Sequence, residues 1–263
     1  MMSESTQPNI LRFDTLDSTN TKAKDLAKEG QGEGTVVIAT QQTAGKGSRS
    51  KSWHSPPGGL YLSLLLYPSS VKRAADLAIV AGVGLAQGVK QLMPKSVSVS
   101  VKWPNDCLVN GKKVGGILCE SLGDEALGLC VVGVGLNVNL VEAELECFSE
   151  NPFGATSMQQ ESAGGEYSMA EVEKIVLAKL FAAYRLYQTD GMNAIVYLWE
   201  KNCEMIGKTI EVAESGWRQG DTFRPESVKG NMLGIDESGA LIVANARGDR
   251  RQFYSGVITC YWP

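Results

Sequence analysis

The chain has 263 residues, 43% of them hydrophobic, and a net charge of −4 with a pI of 5.3. That length suits one large domain or two smaller ones, and that apolar share is enough for an ordinary globular core. The acidic balance gives no global support for a nucleic-acid partner, the polar start Met1-Met2-Ser3-Glu4-Ser5-Thr6 is no signal peptide, and no apolar run reaches the ~18–20 residues of a membrane span.

In chain order, Leu11 to Leu16 alternates like a half-buried strand. Asp17-Ser18-Thr19-Asn20 offers capping side chains to a helix that runs through Lys28 and stops at Gly30. Thr35 to Thr40 reads as a strand, and so does Leu60 to Tyr67. A long helix is expected over about 72–93, with Leu77, Val80, Ala81, Gly84, Leu85, Gly88 and Leu92 on one face. Gly82, Gly84 and Gly88 weaken it, and close packing on a sheet is the expected reason. Ser96 to Trp103 alternates as a strand and ends at Pro104. Cys107 to Val109, the pair Asn110-Gly111, and Lys113 to Glu120 read as a hairpin with a type I′ turn. Ala126 to Asn139 is a further strand, followed by an acidic linker over 142–150 and a Gly/Ser-rich patch up to Ser168. Ser168-Met169-Ala170-Glu171 is a capping box for a helix with Val172, Val176, Leu180, Ala183 and Tyr187 on one face. A second helix is expected over about 193–202. From Gly207 short strand-like runs alternate with turns, at 208–212, 223–230, 232–235, 240–243 and 252–258, which reads as a small all-β unit.

The stretch from Gly45 to Trp53 departs from fold-building. It holds two glycines, Lys46, Arg49 and Lys51, and one large apolar residue. Glycines beside cations make a phosphate cradle or a solvated basic loop, and the sequence of the stretch alone leaves both open. A polar loop of roughly 18 residues between two strong strands is longer than usual, and such loops are usually functional or disordered. Residues 44–58 are expected to be mobile without ligand and to order on binding one. The Walker phosphate motif is excluded, because Gly47 follows Lys46 and Thr40 stands where its first glycine belongs. Cys107, Cys119, Cys130, Cys147, Cys203 and Cys260 form no Cys-x-x-Cys and read as free thiols of a reducing cytoplasm. His54 is the only histidine, so a zinc site lacks ligands and a Ser/His/Asp triad is not expected.

Taken singly, the remaining polar clusters have plain readings: Ser18 a helix cap, Lys102 a surface lysine, Asn105-Asp106 a turn, Lys113 a polar position after a hairpin. In combination they do not. Asp17-Ser18-Thr19-Asn20, the run Gln42-Thr43-x-Gly45-Lys46-Gly47 leading to Trp53-x-Ser55-Pro56, Lys102-Trp103-Pro104-Asn105-Asp106, Lys113-Val114-Gly115-Gly116-Ile117-Leu118-x-Glu120 and Gly133-x-Gly135-x-Asn137 occur in one order. This resembles the catalytic core of the biotin protein ligases, over most of residues 10–140 and more loosely beyond.

The resemblance implies an α+β fold: a mixed-sheet catalytic domain of the biotin/lipoate ligase type at 10–206 after a polar tail at 1–9, and a small SH3-like β-barrel at 207–263. It implies that ATP and biotin react to biotinyl-5′-AMP, with Mg²⁺ required, and that biotin passes to a lysine of a carboxylase's biotin carboxyl carrier domain. Carried over by position, Ser18, Thr19, Asn20 and Gln42 line the biotin pocket, with Lys46, Gly47 and Ser48 over the ligand. Lys113 holds its carboxylate, Asp106 meets the acceptor amine, and Arg49, Lys51, Trp53, Lys102, Asn105 and Asn137 lie on the adenylate side. Catalysis is assigned to Lys113, Asp106 and Lys46, and the Mg²⁺ ligands are not identified. Only about nine residues precede the first strand, so the winged-helix DNA-binding domain of the bifunctional members, and a nucleic-acid partner with it, are not expected. A cytoplasmic location follows, and a homodimer stays open. Where the family commonly has Gly-Arg-Gly-Arg, this chain has Gly45-Lys46-Gly47-Ser48, and Arg49 is the candidate replacement for the second cation. A lipoate or octanoyl transferase of the same fold and a non-catalytic biotin sensor are the alternatives.

Overall fold

The computed structural model of the protein describes residues 8–68, 74–122, 128–145, 152–162, 165–214 and 227–262. The tail at 1–7, Cys147 and parts of the expected elements at 126–139, 142–150 and 223–230 lie outside them.

Seven strands form one mixed sheet. They are β1 (Asn9–Leu16), β2 (Thr35–Gln42), β3 (Gly59–Leu66), β4 (Val99–Lys102), β5 (Asp106–Val109), β6 (Lys112–Ser121) and β7 (Cys130–Asn137). Their order is β1-β2-β3-β7-β6-β5-β4, with β1 and β2 parallel and every other pair antiparallel. The continuous apolar runs of β2, β3 and β7 are explained by burial on both faces. Val37, Leu65 and Val131 pack on one face against Ala23 and Leu26 of helix α1 (Thr19–Lys28). Their neighbours Val36, Leu64 and Val132 belong to the main core on the other face, with helices α2 (Ala74–Leu92) and α5 (Met169–Lys201).

Gly84 and Gly88 serve close packing, but against a helix and not the sheet. A Cβ on Gly84 would lie 2.9 Å from Leu180 Cα, and one on Gly88 would lie 3.2 Å from Val176 Cα. Gly82 has open space around it and takes no part. The sequence pattern places a break between two helices near 190, and the break is there: Gly191 (φ 75°, ψ −171°) is non-helical and divides α5 into two helical stretches across a kink. The capping box holds, since the Ser168 hydroxyl accepts from the Glu171 N–H. The Asn110-Gly111 turn takes positive φ at both residues, as a type I′ turn requires. Two short helices were not legible: α3 (Glu142–Leu145) in the acidic stretch and α4 (Met158–Glu161), capped by Ser157, in the Gly/Ser-rich one.

The C-terminal strands β8 (Thr209–Glu214), β9 (Val228–Ile235), β10 (Leu241–Ala244), β11 (Arg250–Phe253) and β12 (Gly256–Trp262) form an antiparallel sheet in the order β11-β10-β9-β8-β12. Among the described residues β11 and β12 do not pair, so the sheet is open. It meets the seven-stranded sheet at the end of β4, where the Trp103 indole N–H donates to the Gly239 carbonyl at 3.0 Å.

Candidate active site

The site lies on the α1 face of the sheet, beyond the part that α1 covers. Alternation puts Ser63, Gly133, Gly135, Gly116, Leu118 and Glu120 on that face, in register: Ser63 opposite Gly133, Gly133 opposite Leu118, and Gly135 opposite Gly116. The glycines lower the floor. A Cβ on Gly133 would lie 2.2 Å from Asn20 Oδ1, and one on Gly135 would lie 2.6 Å from the Trp53 ring.

Above this floor is a neutral polar array. Ser18 occupies the N-cap position of α1, but its side chain makes no capping bond and instead lines the cavity. The Thr19 N–H donates to Gln42 Oε1 at 2.8 Å, and Gln42 Nε2 donates to Ser55 Oγ at 2.8 Å. Gln42 thereby ties the helix start to the returning end of the long loop. The Ser63 hydroxyl lies 2.6 Å from Asn20 Oδ1 and 2.8 Å from Thr19 Oγ1, and Asn20 Nδ2 donates to Glu120 Oε2 at 2.8 Å. Burial raises the Glu120 carboxyl pKa, but the bonds from Lys24 and Asn20 outweigh it and hold the group below its ordinary value. Ser63 is a residue that motif reading missed, and Glu120, the last residue of the Lys113 motif, was given no role there. The signal for Ser63 was present: it is the one hydroxyl in the apolar run Leu60 to Leu66 apart from Tyr61.

The charged end begins where Trp53 meets Gly116. Lys113 Nζ lies 5.2 Å from the Trp53 ring centroid and 2.5 Å from Asp106 Oδ1. The other Asp106 oxygen accepts from Lys102 Nζ at 2.7 Å, and Lys102 also lies 4.7 Å from the Phe153 ring centroid. Burial works against the Asp106 charge, but Lys102 and Lys113 outweigh it and hold the carboxyl well below the ordinary carboxylate range. Burial pulls the Lys102 ammonium down, and Asp106 offsets this only in part. Lys102 is therefore not the surface lysine of the plain reading, being 3% exposed.

The long loop forms the roof. Its bridge from Lys46 to Ser52 makes a small hairpin, with a 3-10 turn at Ser48–Ser50. Lys46, Gly47, Ser48 and Trp53 face the cavity, together with Asn105. Lys46 Nζ donates to Thr21 Oγ1 at 2.9 Å. In this position the loop leaves a cavity of about 40 Å³ beneath it, well under the ~300–1,000 Å³ usual for ligand sites. Lys46 and Gly47 also wall a second, open cleft of about 570 Å³, with Arg49, Lys51, Leu118 and Glu120. Arg49 and Lys51 are thus outside the inner cavity. Asn137 is outside it too: it is buried, Nδ2 donates to the Thr156 carbonyl at 3.0 Å, and Oδ1 has no hydrogen-bond partner.

A protein-held metal does not fit this donor set. Among the described residues no three His, Cys, Asp or Glu side chains converge, and both Asp106 oxygens are taken by lysines. Cys107, Cys119, Cys130, Cys203 and Cys260 are free, and burial pushes the Cys107, Cys119 and Cys130 thiols up, away from reactivity. No helix among the described residues is long and apolar enough to cross a membrane.

Comparison with known proteins accounts for this arrangement. Residues 12–137 match the model of the Biotin/lipoate A/B protein ligase family. The chain is 33% identical over 252 residues to the bifunctional ligase/repressor BirA of Bacillus subtilis, covering 95% of this chain and 73% of that one. It is 32% identical over 234 residues to the biotin–[acetyl-CoA-carboxylase] ligase of Paracoccus denitrificans, covering 88% and 92%. In structure it is similar to the biotin protein ligase of Aquifex aeolicus solved with biotin and ATP, with a TM-score of 0.78, 24% identity and coverage of 94% and 96%. These likenesses show that the chain belongs to the Biotin/lipoate A/B protein ligase family.

Proposed function

We propose that the protein is an ATP-dependent biotin ligase. It joins biotin to ATP as biotinyl-5′-AMP, with release of pyrophosphate, and then transfers biotin to a lysine of a carboxylase's carrier domain. The observation that carries this reading is a neutral hydrogen-bonding cavity, lined by Ser18, Thr19, Asn20 and Gln42 and roofed by Lys46, with the Lys113–Asp106–Lys102 cluster beside it across Trp53 and Gly116. A ligand with an uncharged polar head and a carboxylate tail matches that pairing. Relatives named as biotin–[acetyl-CoA-carboxylase] ligases support the same substrate and acceptor.

In this reading Ser18, Thr19, Asn20 and Gln42 bond the ureido head, with Ser63 and Glu120 fixing Asn20 from behind. Lys113 holds the carboxylate beside the α-phosphate. A carboxylate oxygen bonds to phosphorus as the bond to pyrophosphate breaks, so two anions approach and charge grows on the phosphoryl oxygens. A unit charge at 4 Å is worth about 4 kcal/mol at an effective dielectric near 20, so Lys113 and Lys46 supply a large share of the stabilisation. In the second step the acceptor amine bonds to the acyl carbon and AMP leaves. Asp106 is too weak a base for that proton, since two lysines hold it ionised. Its part is to fix Lys113 and to orient the incoming amine, and the proton goes to solvent or to the departing phosphate. Lys102 and Asn105 stand on the nucleotide side, as does Asn137, whose buried Oδ1 has room for a donor. Magnesium accompanies the ATP phosphates, and no side chain here is assigned to it. Residues 207–263 form a second domain, of SH3-like barrel type, and five antiparallel strands with bulges in β10 and β12 support this.

The roof must lift to admit ligand, because its partition by Lys46 and Gly47 separates a small cavity from a wide cleft. ATP–pyrophosphate exchange tests the reading. Exchange that depends on biotin and not on lipoate or octanoate is the expected result. Exchange driven by lipoate would overturn the substrate, and no exchange with any of the three acids would overturn the activity.

A further inference from the structure

We propose that Arg49 is a latch that fastens the roof loop to the C-terminal sheet, so that retention of the reactive intermediate is set by a contact outside the catalytic sheet. The consequence for the intermediate rests on the ligase reading above; the contact itself does not. Arg49 is the one residue of the 3-10 turn with left-handed backbone (φ 59°, ψ 42°). A non-glycine residue in that region costs of order 1–2 kcal/mol and persists where its surroundings hold it there. The Arg49 guanidinium Nη2 donates to the Gly256 carbonyl, the first residue of β12, across 207 positions of chain.

The anchor point is itself tight. A Cβ on Gly256 would lie 2.9 Å from the Ala213 carbonyl oxygen and 3.4 Å from Trp103 Cζ3. Gly256 therefore sits where β8, β12 and the turn after β4 meet, and that turn leads to Asp106. Burial lowers the Arg49 pKa and Asp106 partly restores it, so the guanidinium lies within electrostatic reach of the carboxylate that also holds Lys113. The latch thus joins three parts: the roof, the charged end, and the C-terminal sheet. A second contact reaches the same strand from the nucleotide side, where Phe153 stacks on Tyr261 with centroids 5.8 Å apart and planes 8° apart.

Arginine suits this post because its planar fork can hold a carbonyl and still present a second edge to an anion, which lysine cannot do. Ser48 faces the cavity and carries no charge, while its neighbour Arg49, at the tip of the loop's hairpin, reaches the C-terminal sheet.

The test compares wild type, Arg49→Met, Gly256→Ala and the double variant. The first readout is limited proteolysis of the ligand-free protein within residues 44–58. Both single variants are expected to be cut about tenfold faster than wild type, and the double variant no faster than either, because all remove one contact. The second is dissociation of biotinyl-5′-AMP, expected to rise in parallel with the cleavage rate across the same variants. Wild-type cleavage in Arg49→Met, or additive acceleration in the double variant, would overturn the latch. If the proteolysis result holds while no protein, wild type included, makes adenylate, the latch stands and the ligase reading fails. Should Gly256→Ala misfold, Arg49→Lys serves instead: a latch that needs the fork predicts cleavage as fast as in Arg49→Met.

Discussion

On the α1 face of the sheet Thr19, Asn20, Gln42 and Ser63 are neutral and joined by hydrogen bonds of 2.6–3.2 Å. Beside them, outside the lining of the inner cavity, Lys102, Asp106 and Lys113 form an ionic cluster with contacts of 2.5 and 2.7 Å. The first group sits on α1, β2 and β3 and the second on β4, β5 and β6, and their physics differs. A neutral array recognises by position, because each donor and acceptor is directed and is worth only about 0.5–1.5 kcal/mol net. A buried ionic cluster neutralises charge, and its strength comes with a dependence: remove one member and the others are left uncompensated. The comparison therefore predicts that damage at the charged end is large and concerns catalysis and folding, while damage at the neutral end is small and concerns binding.

The largest effect is expected for Asp106→Asn, which leaves Lys102 buried beside Lys113 without a counter-charge. Unfolding by denaturant at pH 7 should show a loss of about 3–5 kcal/mol. The pH dependence has a definite sign. The folded Asp106 carboxyl lies below its ordinary value, so its contribution is complete above about pH 4 and disappears as the pH falls through the lower folded value. Wild-type stability should therefore carry an acid loss that Asp106→Asn lacks; an equal acid loss in both proteins would contradict the assignment.

Next comes Lys113→Ala. Lys102 still pairs with Asp106, so the fold should survive with little change in midpoint. Biotin-dependent pyrophosphate exchange should fall about 10²–10³-fold, as for loss of one preorganised charge-stabilising group. Undiminished exchange would remove Lys113 from the reaction.

Ser63→Ala probes the neutral end. It deprives Asn20 Oδ1 of its hydroxyl partner, at about 1–2 kcal/mol. Expressed as kinetics, KM for biotin should rise about 5–30-fold with kcat within twofold. A fall in kcat with unchanged KM would mean that the two ends are not separable. The smallest effect is a control on burial. Lys28 and Asp25 form an ion pair at 3.2 Å with side chains 70% and 51% exposed, and Lys28→Ala should shift stability by less than about 0.5 kcal/mol.

What the sequence by itself determined was local and chemical. The helix starts, the Asn110-Gly111 turn and the apolar strands follow from side-chain period and backbone preference, which neighbouring residues carry. The motif residues Ser18 to Asn20, Gln42 and Lys102 to Asp106 were found because their types in that order have few other uses. What only the tertiary structure decided was partnership at long range. Gly84 packs on Leu180 and not on a sheet, and Lys102 is buried because Phe153 and Asp106 enclose it. Ser63 acquires meaning only when strand pairing sets it opposite Gly133 and under Asn20. Arg49 reads as one more cation of a basic loop until the fold brings Gly256 to it. A residue's type states which bonds it is able to make, while its partner is fixed by which elements pack together, and that depends on apolar surface buried across the whole chain.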